Sequence, residues 1–103
     1  MTYAAKPTRS LTSIAVRIEK LPLAFIGEGE RATLAKWTLA TLNMSPGDRA
    51  CGLRDIAARL RVDAQVHDDA DNMSKAALVR KVAADLDAVW QRDAGGVEAM
   101  INA

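Results

Sequence analysis

Asp63, His67, Asp68, Asp69 and Asp71 gather five possible metal ligands within nine residues. Carboxylates and an imidazole suit a divalent cation. A calcium loop, however, sets its ligands at alternate positions with a glycine at the sixth. Counted from Asp69, the fifth position is Met73 and the sixth Ser74, so the pattern fails. The expectation is no metal and no cofactor. Asp63–Met73 then reads as a solvated acidic connector whose charge suits the N-terminus of the helix after it. Nucleophilic chemistry would need the chain's one cysteine and one histidine, Cys51 and His67. They fall in different segments, and Cys51, between Ala50 and Gly52, reads as a small apolar packing residue. Gly27-Glu28-Gly29-Glu30 puts acids where a phosphate would sit. No enzymatic activity is expected.

The remaining chemistry is ionic. Residues 1–62 carry ten Lys/Arg against five acids, a net +5, and residues 63–103 carry four against eight, a net −4. Such asymmetry means either a basic end that binds a partner or two halves that pack together and neutralise each other. Phosphate contact would fall to Lys6, Arg9, Arg17, Lys20, Arg54 and Arg61, the last two sharing a helix flank with no obvious partner. Ile56-Ala57-x-x-Leu60-x-Val62 resembles the first half of a DNA-reading helix-turn-helix, with Arg61 in the place usually held by glycine. The recognition helix would then be Ala64–Asn72, whose acids face phosphate and are repelled by it. With Asp63–Met73 taken as a loop, Leu53–Trp90 resembles the helix–extended loop–helix modules, the SAP domains and the N-terminal module of the Rho termination factor. Lys75-Ala76-Ala77-Leu78 supplies the Lys-x-x-Leu start of their second helix. The loop lacks their glycine, and its acids again oppose nucleic acid.

Positioning these residues falls to four segments between the Pro and Gly boundaries. Ser10–Leu21 has a Ser10 N-cap and the stripe Leu11, Ile14, Ile18, Leu21, while the alternation of Ile14, Val16 and Ile18 offers a strand instead. Glu30–Met44 carries two apolar stripes, Ala32/Ala35/Leu39/Leu42 and Leu34/Trp37/Thr41. A helix apolar on two sides is central to the core or shared with a partner. Ser45–Asp48 reads as a turn. Ala50–Val62 has a narrow face of Leu53, Ile56, Ala57 and Leu60, and Asp55–Arg59 form an i, i+4 pair. Ser74–Arg92 presents Leu78, Val79, Val82, Leu86, Val89 and Trp90, capped by Asn72 or Ser74 and ended by Gly95-Gly96.

The expected fold is all-α, a small bundle of about four helices over residues 10–103, preceded by a flexible basic tail at 1–9. Half of the 103 residues are apolar and alanine-rich, which suits helices over strands. The lone cysteine, the absence of a signal-like apolar stretch and the absence of a membrane-length apolar run point to a cytoplasmic protein. Two functions follow. One is a small dimeric regulator that contacts duplex DNA through the six basic residues. The other is an interaction or accessory protein without nucleic acid, docking through Leu34, Trp37 and Thr41. Trp37 and Trp90 are expected in the core, and a surface Trp37 would mark the partner site.

Overall fold

The computed structural model describes residues 10–24 and 26–102. The tail expected at 1–9, with Lys6 and Arg9, lies outside the described residues. The described residues form a small all-α bundle of four helices: α1 Leu11–Glu19, α2 Glu28–Ala40, α3 Pro46–Asp69 and α4 Met73–Asn102. A 3-10 turn, Thr41–Asn43, follows α2 directly.

Side-chain caps open α1 and α3. The Ser10 hydroxyl accepts the Ser13 N–H at 3.1 Å and opens α1. The helical stripe Leu11, Ile14 and Ile18 is buried, while Val16 faces out, which settles the segment as helix and not strand. Pro22 follows within three residues of the helix end. Ser45 caps α3 in the same way, accepting the Asp48 N–H at 3.3 Å, with Pro46 in the first turn. The expected turn at Ser45–Asp48 is therefore the helix start. Proline's fixed φ suits a first helical turn, and Asp48 there complements the dipole.

The larger correction concerns the acidic connector. Asp63–Asp69 is not a loop; it is the last two turns of α3. No Pro or Gly interrupts the helix after Gly52, and Asp63 and His67 extend the buried stripe of Leu53, Ile56 and Leu60 at helical spacing. Helix-turn-helix and extended-loop geometries both require a break here, and the chain has none before Ala70. The link is three residues long and follows the Schellman pattern. Asn72 N–H reaches His67 O at 2.8 Å, Asp71 N–H reaches Asp68 O at 3.0 Å, and Asp71 is left-handed at φ 61°. Asn72 O then accepts the Ala76 N–H at 3.0 Å, starting α4. At its far end α4 runs through Gly95 and Gly96, which the sequence marks as its stop. Glycine in a helix costs about 1 kcal/mol relative to alanine but does not forbid helical dihedrals.

α3 and α4 thus form a long antiparallel hairpin. Ion pairs Asp68–Arg80, Arg61–Asp87 and Arg49–Asp93 step along it in opposite senses. Ala57, Ala64, Ala76 and Ala83 are fully buried along the hairpin and let the helices approach closely. α1 and α2 close over it, contributing Ile14, Ala15, Ile18, Leu34 and Ala35 to one continuous core. Among the described residues no helix is long and apolar enough to cross a membrane.

Candidate functional site

The basic residues are placed first. Arg17 on α1 pairs with Asp85 on α4, and Arg61 on α3 pairs with Asp87 on α4. Arg49 bonds Asp93 at 3.2 Å and also donates to Thr41 O at 3.0 Å and Met44 O at 2.9 Å, tying the 3-10 turn to the hairpin. Each of these pairs joins a base of the +5 half to an acid of the −4 half. The expectation that Arg61 lacks a partner is corrected: Asp87 stands opposite it across the hairpin. Arg54 on α3 and Lys20 at the end of α1 are exposed, on separate elements, without ion-pair partners among the described residues.

The candidate catalytic and metal groups do not converge. Cys51 is exposed, not packed. It sits on the same helix as His67, sixteen residues away, or about 24 Å along the axis. Among the described residues no three His, Cys, Asp or Glu side chains group as ion ligands would. Asp63 and His67 are buried, and they hold backbone. The Asp63 carboxylate accepts the Ala24 N–H at 2.9 Å to each oxygen and the Ile26 N–H at 3.2 Å. His67 Nε2 lies 3.7 Å from Asp63 Oδ1 and hydrogen-bonds Pro22 O. A carbonyl can only accept, so Nε2 carries the proton. Arg31 on α2 donates to Leu21 O at 2.9 Å. The α1–α2 connection is thus pinned to α3 by its own polar backbone.

α2 is apolar on two sides, and its buried face runs between the two stripes. Leu34, Ala35, Thr38 and Thr41 are buried, leaving Trp37 exposed on one flank and Leu39 and Leu42 on the other. Of the residues expected at an interface, Thr41 is 2% exposed, its hydroxyl satisfied by Thr38 O at 2.7 Å, and so is core. Leu34 is 4% exposed but lines a groove, and Trp37, 46% exposed, stands at its mouth. The expectation of a core Trp37 is corrected, because the helix turns its core face between Leu34 and Ala35. Trp90 is half-buried, with Nε1 donating to Asp87 at 2.6 Å.

That groove lies between α2 and α3 and encloses about 250 Å³. Ile26, Thr33, Leu34, Trp37 and Val62 form its largely apolar walls, with Glu30 and Arg59 adding charge. The Arg59 guanidinium lies 5.6 Å from the centroid of the Trp37 ring, a cation–π contact that steadies the indole. Arg59 also bonds Asp55 at 3.1 Å. Val62 is 57% exposed, and Val66, one turn on, is also open. Arg59 is legible in the sequence only as half of an i, i+4 pair, and Val62 only as a residue beside the supposed turn. The available signal was the helical wheel, which sets Val62 and Val66 on one face, opposite the buried stripe. No protein-family model, curated protein or solved structure matches this chain.

Proposed function

We propose that this protein is a protein-interaction module and that its α2–α3 groove receives a second copy of the chain. The observation that carries the reading is Trp37, a large aromatic left half-exposed over an apolar groove. Tryptophan in such a setting is the typical anchor of an interface. A two-fold arrangement sets one copy's Trp37 against the other's Val62. The groove's mixed charge supports it, because Glu30 and Arg59 have opposite signs and one copy complements the other across a two-fold axis. A net charge of +1 adds little repulsion between copies. Enzymatic activity forms no part of this reading, and a cytoplasmic location suits it through the free, exposed Cys51.

Contact with duplex DNA has less support. Arg17 and Arg61 are engaged with acids, and phosphate neutralisation needs several free cations on one face. Sedimentation equilibrium of the wild-type chain and Val62→Asp, together with a low-salt mobility-shift assay on duplex DNA, tests the choice. The expected result is a reversible dimer that Val62→Asp shifts to monomer, with no DNA shift. A wild-type monomer at all concentrations overturns the reading. A DNA shift that falls steeply with salt and is lost in Arg54→Ala replaces it with the nucleic-acid reading.

A further inference from the structure

Ile26 belongs to two structures at once. Its side chain lines the groove, and its N–H donates to Asp63. Asp63 is completely buried, so its carboxylate takes these N–H groups in place of water. Hydrogen bonds to an ionised acceptor are roughly twice as strong as neutral ones. Both carboxylate oxygens are committed, each accepting the Ala24 N–H and Oδ2 also the Ile26 N–H. A proton added to either oxygen therefore lands where an N–H already points.

We propose that Asp63 is an acid-sensitive latch: as a carboxylate it holds the α1–α2 connection against α3, and on protonation it releases that connection together with the Ile26 wall of the groove. The consequence for binding rests on the groove reading; the latch itself does not. His67 does not release the connection, because its Nε2 proton donates to Pro22 O whether the ring is neutral or charged. Its ring nitrogen also lies 3.7 Å from Asp63 Oδ1, so His67 is the titratable group that faces Asp63 on its own helix. Among the described residues, charged groups near this place include Arg31 from α2, which donates to Leu21 O, and Glu30 and Arg59 at the groove. Arg17 on α1 and Asp85 on α4 are turned to each other.

The test is an NMR pH titration of the full chain, following the Asp63 carboxyl carbon, the His67 ring carbons, the Ala24 and Ile26 amides and the Trp37 indole N–H. The expected result is that both amides and the indole move with the Asp63 carboxyl and not with the His67 ring. Hydrogen-exchange protection of the two amides falls on the order of tenfold or more, as loss of charge-assisted bonds requires, while Leu53 and Leu86 amides stay protected. Asp63→Asn is expected to show the acid-form signals at neutral pH. Amides that ignore the Asp63 titration, or that lose protection only together with Leu53 and Leu86, overturn the latch. The wild-type titration decides this alone if Asp63→Asn does not fold. A monomeric chain would sink the groove reading and leave the latch standing, so the two fail separately.

Discussion

Asp63 shows how one side chain can change role with burial. In a loop it would be one solvated acid among several. On the inner face of α3 it becomes the acceptor for the α1–α2 connection. Asp63→Ala would strand buried N–H donors, and a loss of about 2–4 kcal/mol is expected in urea unfolding; a loss under about 0.5 kcal/mol would show that the connection is not held this way. Asp71 carries the opposite cost. It is a non-glycine residue at φ 61°, so Asp71→Gly is expected to stabilise by roughly 1 kcal/mol, with a raised melting temperature as the readout. Asp68 bears on pH. Its hydrogen bond to Arg80 holds the carboxyl below the ordinary carboxylate range. A lowered folded pKa contributes stability that is present above the unfolded value, about 3.9, and lost as pH falls through the folded one. Arg80→Gln should move the Asp68 midpoint up toward the ordinary carboxylate range by carboxyl NMR, and an unmoved midpoint would show the pair absent in solution.

At the scale of elements, periodicity carried most of the fold. The spacing of Leu11, Ile14 and Ile18 and of Val79, Val82 and Leu86 marks two buried helix faces, because burial follows apolar spacing, while Leu78, expected in the second face, is 54% exposed. The hairpin link did not read from the sequence for a physical reason. Polar residues mark a helix end only on average, and here the acids of 63–69 split, Asp63 facing in and Asp69 facing out. The left-handed position holds Asp71, where glycine would have marked the stop. Trp37 is not core because α2 buries the strip between its two stripes. Arg49 joins α3, α4 and the 3-10 turn through three hydrogen bonds. Arg49→Ala is expected to destabilise by about 1–3 kcal/mol, measured by urea unfolding, by freeing the Thr41 and Met44 carbonyls and the Asp93 carboxylate.

Over the whole molecule, the sequence's charge asymmetry resolves mostly inward. Arg17–Asp85, Arg49–Asp93 and Arg61–Asp87 spend bases of one half on acids of the other, and an apolar groove remains on the surface beside Trp37. In the sequence that feature is legible as a docking face at Leu34, Trp37 and Thr41, set beside the expectation that Trp37 is core. In the proposed dimer this groove closes on a second copy of the chain. The most direct measurement is the fluorescence of the Trp90→Phe chain, in which Trp37 is the sole tryptophan, followed through serial dilution. A dimer closed over this groove gives an emission maximum that moves to longer wavelength as the protein is diluted and the indole returns to water, with Val62→Asp already at the long-wavelength limit. An emission maximum that stays constant across dilution, and is the same in Val62→Asp, would contradict it.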